Sequence, residues 1–216
     1  MAPHSLTLRR VAVVLVAVCC LAGAVSTATA VENPRNRPSD TSPPVTVYAS
    51  ETLDISDVRL TGGGQVQGDD NPESVTFQRV DGAGNVTVED PEAANFTGVE
   101  PGSYDALRDD DEEPELEVVE PQVTRLTLRD RNARNVSGQT VRRDRLDRVV
   151  VIAEYDFAGA DRLQVSMTRD AEDVGLNQNA ARITESGGRY TIGLSNRPTG
   201  TYTVTVAGSD IEAGTQ

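Results

Sequence analysis

Short runs of alternating apolar and polar residues recur along this chain, at a spacing of about ten residues. The runs are rich in Val, Thr, Ile and Tyr, and Gly, Pro, Asn and Asp separate them. Successive side chains of a strand point to opposite faces, so each run predicts a strand with one buried face. Many short strands with turns between them predict an all-β protein of antiparallel β-sandwiches. The runs span residues 45–49, 74–80, 85–90, 104–108 and 116–120 in a first set, and 122–130, 148–157, 161–169, 189–195 and 201–207 in a second.

An acidic, proline-flanked segment separates the two sets of runs. It reads "RDDDEEPELEVVEPQV" and predicts a domain boundary near Glu120. The two parts, 45–120 (module 1) and 121–216 (module 2), each have the size of an immunoglobulin-like domain. We therefore expect two tandem immunoglobulin-like antiparallel β-sandwich domains.

A Pro-Gly-Tyr pattern occurs late in both modules, as "PGSY" at 101–104 and "PTGTY" at 198–202. Glycine lets the chain turn into the strand, and a tyrosine at its start can bury its ring while its hydroxyl bonds nearby backbone. The alternative is coincidence in a chain rich in Thr and Gly. We expect the ring of the second tyrosine to pack against strand 148–157, near Val150 and Ile152. The predicted structural residues are Gly102, Tyr104, Gly200 and Tyr202.

The N-terminus has the three parts of a secretory signal peptide. Arg9 and Arg10 precede an apolar run over 11–25, and the small-residue site "ATA" ends at Ala30. We predict a signal peptide over 1–30 and export of the chain; the alternative is an uncleaved membrane anchor. The Pro-rich, polar segment 31–44 predicts a disordered, extended linker.

Without residues 1–30, the chain contains no His, Cys, Lys or Trp. This inventory excludes disulfides, thiol nucleophiles, imidazole bases, lysine Schiff bases and zinc sites built on His or Cys. A pair of carboxylates, as in glycosidases, stays open as a catalyst. With 34 acidic residues along the chain, however, any such pair is expected by chance. We therefore predict a protein that is not an enzyme.

All 20 basic residues are arginine, against 34 acidic residues, which gives a net charge of −14. Carboxylate-rich surfaces suit concentrated salt, where screening weakens their mutual repulsion; the alternative is an ordinary acidic protein from a high-GC genome. Module 1 has a net charge of −17 and module 2 of +1, and seven arginines lie in 129–148. We expect a contact between this arginine-rich stretch and an acidic module, within or between chains; the alternative is a charged hairpin facing water. Export and the interleaved Asp residues argue against nucleic acid.

Three N-x-[ST] sequons predict exposed N-glycosylation sites in an exported chain. They begin at Asn85, Asn95 and Asn135, and the latter two lie in turn-like contexts.

Five consecutive carboxylates form the best candidate for cation binding, because Ca²⁺ or Mg²⁺ is held by several oxygen atoms of a flexible loop. The run lacks the spacing of a known calcium loop, so a solvated acidic loop is the alternative. Its residues are Asp109, Asp110, Asp111, Glu112 and Glu113.

Two long stretches of module 2, 136–177 and 183–214, resemble a repeat unit of haloarchaeal surface-layer (S-layer) glycoproteins, and "VYASETLDISDVRL" at 47–60 resembles the opening of their first domain. The resemblance implies immunoglobulin-like domains, N-glycosylation, dependence on divalent cations, a place in the envelope lattice, and other surface-layer subunits or envelope proteins as partners. Members of this family are usually longer and end in a Thr-rich stalk and a C-terminal membrane or sorting segment. Neither follows here, so we expect a fragment or a short secreted paralogue.

Two functions follow from these features. The first is a non-catalytic structural glycoprotein at the cell surface of a halophilic archaeon, associated with the membrane only through an uncleaved signal or a missing C-terminal anchor. The second is a secreted binding or adhesion module for carbohydrate or protein, such as the accessory part of a larger surface protein. Sugar-binding modules commonly expose aromatic rings, and this chain has no Trp, five Tyr and three Phe.

Overall fold

The computed structural model describes residues 11–13, 33–67, 74–108, 111–177 and 180–212. This part of the chain is almost entirely β-structure, as predicted, with two single-turn 3₁₀ helices at Pro91–Ala93 and Arg143–Arg145. The strands are β1 Val11–Val13, β2 Val45–Tyr48, β3 Thr52–Leu53, β4 Val75–Arg79, β5 Asn85–Val88, β6 Ala94–Asn95, β7 Gly102–Ala106, β8 Leu116–Val119, β9 Val123–Arg129, β10 Thr140–Val141, β11 Val149–Tyr155, β12 Leu163–Arg169, β13 Glu172–Asp173, β14 Arg182–Ile183, β15 Arg189–Ile192 and β16 Thr201–Gly208.

Module 1 is built on a five-stranded sheet in the order β2-β8-β7-β4-β5, with β3 and β6 in a separate two-stranded sheet. Its first and last strands, β2 and β8, pair in parallel, and the other pairs of the sheet are antiparallel. Alternate residues of these strands are buried, among them Val47 and Phe77, as the period of two requires. They form one core with Ile55 and Val58 from the segment after β3.

Module 2 contains two sheets that share a second core. One has the order β15-β11-β9, and the other contains β16, β12, β13 and β14 together with β10 and β1. Strand β11 alternates strictly, so that Val149, Val151, Ala153 and Tyr155 are buried. They join inward residues of β12 and β16 in the core. This is the two-layer arrangement of a β-sandwich.

The sheets and cores divide along the chain between Val119 and Val123, next to the predicted boundary at Glu120. Every strand from β2 to β8 pairs within module 1, and every strand from β9 to β16 pairs within module 2 or with β1.

Residues 33–44 have no strand or helix, but they pack against both modules, which differs from the disordered linker expected from their composition. The backbone N–H of Arg35 donates to the carbonyl of Ala160 in module 2. In module 1, Asp54 donates to the carbonyl of Asn36, and Arg59 donates to that of Thr41. These hydrogen bonds satisfy backbone groups that a free linker would leave to water.

The two modules meet at the end of β11. Tyr48 of module 1 packs edge-on against Phe157 of module 2, with ring centroids 6.2 Å apart. The Tyr48 hydroxyl donates to the backbone carbonyl of Asp156 at 3.0 Å. Glu212, near the end of the described chain, donates its N–H to the Ser50 hydroxyl at 2.9 Å. Aromatic packing and hydrogen bonds thus join the modules directly.

Strand β1 lies within the predicted signal peptide. It pairs antiparallel with β10 and parallel with β16, where Ala12 and Val13 face Thr201 and Tyr202. Among the described residues, no helix has the length and apolar composition needed to cross a membrane.

Candidate functional site

The two tyrosines of the repeated Pro-Gly-Tyr pattern have the same environment in the two modules. Tyr104 and Tyr202 are 3% and 1% exposed. The Tyr104 hydroxyl donates to the carbonyl of Glu100 at 2.7 Å, and the Tyr202 hydroxyl donates to that of Pro198 at 2.6 Å. In each case the acceptor lies four residues before the tyrosine, so the hydroxyl closes the turn that leads into the strand. This is the role expected of a tyrosine corner.

The glycines of the repeated pattern, Gly102 and Gly200, each lie against the side chain of an arginine on the neighbouring strand. Arg79 faces Tyr104 across β4 and β7, and Arg169 faces Tyr202 across β12 and β16. A Cβ atom at Gly102 would lie 2.8 Å from the Arg79 Nε atom.

A Cβ atom at Gly200 would likewise lie 2.9 Å from the Cγ and Cδ atoms of Arg169. An Asp follows each arginine closely in sequence: Asp81 accepts a hydrogen bond from the Arg79 Nε atom at 2.8 Å, and an Asp170 carboxylate oxygen lies 3.6 Å from the Arg169 Nε atom. Sequence reasoning missed these arginines. Their signal is an Arg at a strand end with an Asp one or two residues later.

The prediction that Tyr202 packs near Val150 and Ile152 is wrong by one residue along β11. Val149 and Val151 lie in the same buried cluster as Tyr202. Val150 and Ile152 are half-buried on the opposite face of β11. Because neighbouring residues of a strand face opposite sides, a one-residue error in phase moves the predicted contact to the outer face of the sheet.

All three sequon asparagines are exposed. The Asn95 Oδ1 atom accepts the N–H of Thr97 at 2.8 Å, and the Asn135 Oδ1 atom accepts that of Ser137 at 2.9 Å. Both are Asx turns, in which the asparagine side chain bonds backbone two residues on. Asn85 instead begins β5, a strand that pairs only with β4 among the described residues. One Asx-turn sequon therefore lies on each module.

The predicted cation-binding run is only partly assembled. Asp109 and Asp110 lie outside the described residues, and Glu112 and Glu113 are exposed. The structure brings the remaining member, Asp111, together with Asp105 of β7 and Glu115 just before β8; one carboxylate oxygen of each lies within 4.8 Å of the others. Sequence reasoning missed Asp105 and Glu115, because their approach depends on the pairing of β7 with β8.

Glu115 anchors this carboxylate cluster, which consists of Asp105, Asp111 and Glu115. Its side chain is fully buried. Its Oε1 atom accepts the N–H of Thr61 at 3.0 Å and the Thr61 hydroxyl at 2.6 Å. Its Oε2 atom accepts the N–H of Ala106 at 2.7 Å. Three carboxylates offer the hard oxygen ligands that Ca²⁺ prefers, although Ca²⁺ takes six to eight oxygens and would need further ligands.

No protein-family model matches this chain, and it has no significant match among curated proteins. The fold and the sites together define the chain as an all-β protein of sandwich type, with a repeated glycine–tyrosine anchor and an exposed asparagine turn on each module.

Proposed function

We propose that this chain is a non-catalytic structural glycoprotein of the cell surface of a halophilic archaeon, where it contributes to the envelope lattice. The observation that carries the proposal is the pair of exposed Asx-turn sequons at Asn95 and Asn135, one on each module. The signal peptide predicted over residues 1–30 would bring these sequons to the compartment where glycans are added. A glycosyltransferase needs an exposed asparagine, and both turns present one. The two-layer packing of module 2 and the tyrosine anchors support immunoglobulin-like domains.

The positions of the aromatic rings favour this role over a carbohydrate-binding module. All Tyr and Phe residues lie in the described ranges, and none of them is exposed. Tyr48 and Tyr190 are half-buried, and the others are buried. Sugar recognition by stacking needs an open ring face.

Glycosylation is tested by producing the full chain in a haloarchaeal host and measuring the mass of the secreted protein. We expect a mature chain that begins at Val31 and carries added mass. Asn95→Asp and Asn135→Asp keep an Oδ1 acceptor for each turn but remove the amide that carries a glycan, so each should lose one glycan mass. Asn132→Asp, outside any sequon and equally exposed, is the matched control and should lose none. Unmodified Asn95 and Asn135 in the native protein would contradict the proposal.

The place of the protein in the cell is tested by fractionation. We expect the native chain to copurify with the envelope and to be released when the lattice is dispersed. Recovery of the intact chain in the cytosol, with residues 1–30 still attached, would contradict the surface role.

The halophilic part of the proposal has its own test. The 18 arginines and 34 acidic residues of the mature chain give it a net charge of about −16. Its melting temperature should therefore decrease when the salt concentration is lowered from molar to millimolar, because the mutual repulsion of these charges is no longer screened.

A further inference from the structure

The outer face of the three-stranded sheet of module 2 carries a cleft of about 190 Å³. Val150 and Ile152 are the half-buried apolar residues of this cleft. We call it the arginine cleft, after the four arginines that line it: Arg129, Arg131, Arg148 and Arg189.

Strand register brings these arginines together. Val150 of β11 faces Arg129 of β9, and Ile152 faces Arg189 of β15. Facing residues of an antiparallel pair project on the same side of the sheet, so both arginines flank the apolar residues.

The turn after β9 adds Arg131 to the cleft. The Oδ1 atom of Asp130, a residue 3% exposed, accepts the N–H groups of Asn132 and Arg134 and so holds the turn. The cleft is therefore fixed by a sheet and a hydrogen-bonded turn.

The cleft carries an excess of positive charge, because four arginines and one carboxylate, Asp130, line it. Arg129, Arg148 and Arg189 are exposed and have no ion-pair partner among the described residues. Arg131 reaches Asp147 only at 3.7 Å, and both side chains are about half exposed. Elsewhere, arginines such as Arg35 and Arg79 are held by carboxylates at 2.7 and 2.8 Å. Unpaired arginines in one cleft are unexpected in a chain of net charge −14.

We propose that the arginine cleft binds carboxylates of module 1 of a second copy of this chain. Module 1 carries 20 acidic residues and three arginines, so it is the complementary surface that every copy of the chain supplies. This inference rests on the proposed function and deepens it, because it names the subunit contact of the lattice.

Module 1 of the same chain is held away from the cleft. Among the described residues, it contacts module 2 at Asp156 and Phe157, beyond the end of β11, and at Glu212. The cleft lies at Val150 and Ile152 of the same strand. The six residue steps from Val150 to Asp156 span about 20 Å, and the four steps from Ile152 span about 13 Å. Among the described residues, none of module 1 lines the cleft, so we assign the bound carboxylates to another copy.

A contact between module 2 of one copy and module 1 of the next joins two different surfaces. Such heterologous contacts repeat without closing unless the rotation between copies forms a ring. In molar salt the Debye length is about 3 Å, so only directly touching charges contribute. Guanidinium groups suit this condition because they bind carboxylates through two parallel hydrogen bonds, and the apolar residues beside them limit access of water.

Self-association of the secreted full chain tests the proposal by sedimentation velocity in molar salt. We expect species that grow with protein concentration. The double variant Arg148→Glu/Arg189→Glu should weaken association by about tenfold or more, because it turns attraction into repulsion. Arg125→Glu/Arg182→Glu makes the same charge change in the same module outside the cleft and should associate as the native chain does. Equal association of the native chain and the cleft variant would overturn the proposal.

Photo-crosslinking identifies the occupant without disturbing the charges. Thr191 is exposed and faces Val150 across β11 and β15, so a benzoylphenylalanine there lies beside the cleft. In a mixture of ¹⁵N-labelled and unlabelled chains, we expect crosslinks between differently labelled copies that end in residues 45–120. The proposal would be overturned if crosslinks between copies were absent or were confined to module 2. It would also be overturned if the chain bound an added polyuronate, a carboxylate-rich polysaccharide, while remaining monomeric.

These results separate this inference from the proposed function. A glycosylated chain that fractionates with the envelope, but whose cleft variant associates normally, would refute the cleft contact alone. A cytosolic, unglycosylated chain would refute the surface role even if the cleft variant failed to associate.

Discussion

Arg35 and Glu51 form a two-pronged ion pair where the modules meet: the Nε atom of Arg35 donates to Oε1 at 2.7 Å, and Nη2 donates to Oε2 at 2.9 Å. Glu51 is 4% exposed. The guanidinium carbon also lies 5.6 Å from the centroid of the Tyr48 ring, within the range of a cation–π contact. Since the backbone of Arg35 bonds Ala160 of module 2, this residue connects the N-terminal segment with both modules.

Removal of Glu51 should be costly. Glu51→Ala leaves the Arg35 guanidinium and the Tyr48 N–H, which also donates to Glu51, without their acceptor in a mostly buried place. Breaking a buried pair by removing one partner costs about 3–5 kcal/mol. Denaturant unfolding should show this loss. Glu154→Ala breaks the exposed pair with Arg125 and should cost less than about 1 kcal/mol; similar losses for both variants would contradict the prediction.

Truncation of the tyrosine anchor should be similarly severe. Tyr202→Ala removes a buried aromatic ring and should cost about 3–5 kcal/mol. Tyr202→Phe keeps the ring and loses one hydrogen bond, so about 1 kcal/mol is expected. Tyr104 should behave alike in module 1. Tyr190, half-buried on β15, provides the comparison with Ala. A loss below about 1 kcal/mol for Tyr202→Ala, the range of surface changes, would mean that the repeated pattern is coincidence.

Gly102 and Gly82 offer a matched pair, because both lie against the side chain of Arg79. Gly102 has a φ of +153° and its added Cβ would lie 2.8 Å from Arg79, whereas the Cβ at Gly82 would lie at an ordinary 3.7 Å. Gly102→Ala should therefore destabilise by more than about 1 kcal/mol, and Gly82→Ala should be neutral or slightly stabilising. Thermal unfolding measures both, and the reverse order would contradict the steric argument.

Removing one charge from the carboxylate cluster should change the stability of the protein in a direction that depends on whether cations are present. Asp111→Asn keeps an oxygen for the Glu113 N–H, which Asp111 accepts, and removes one of three neighbouring negative charges. In EDTA and low salt the variant should be more stable than the native chain by about 1 kcal/mol. Millimolar Ca²⁺ should raise the melting temperature of the native chain more than that of the variant. An equal response of both to Ca²⁺ would show that the cluster holds no cation.

Alkaline pH should destabilise the fold through its buried tyrosines. Burial raises the pKa of Tyr155 well above its usual range, and burial also raises the pKa values of Tyr48 and Tyr104. In the unfolded chain these groups ionise near pH 10. The stability that they contribute is complete below that pH and is lost as the pH rises toward the folded-state values. Tyrosinate absorbance should therefore rise partly with unfolding, and Tyr155→Phe should flatten the decline of stability with pH.

Local patterns predicted the elements of this fold better than its contacts. Alternation predicts β11 because every second side chain of the strand is buried away from water. The error at Val150 and Ile152 shows that a shift of one residue assigns the wrong face of the strand to the core. The acidic run drew attention to Glu112 and Glu113, which face solvent, whereas Glu115 is buried by the pairing of two strands. The arginine-rich stretch 129–148 can be recognised in the sequence. The position of Arg189 beside it depends on the register of β15 with β11, which the sequence pattern does not specify.

The parallel pairing of β2 with β8 also determines how module 1 responds to tension. The chain enters this pair at Val45 and leaves it at Val119. Because the strands run in the same direction, these two points lie at opposite ends of the ladder. A pull on both ends slides one strand along the other and strains all its hydrogen bonds at once, whereas pulling a hairpin opens its bonds one at a time. We therefore expect the β2–β8 pair to resist a pull on its two chain ends better than a hairpin of the same length would.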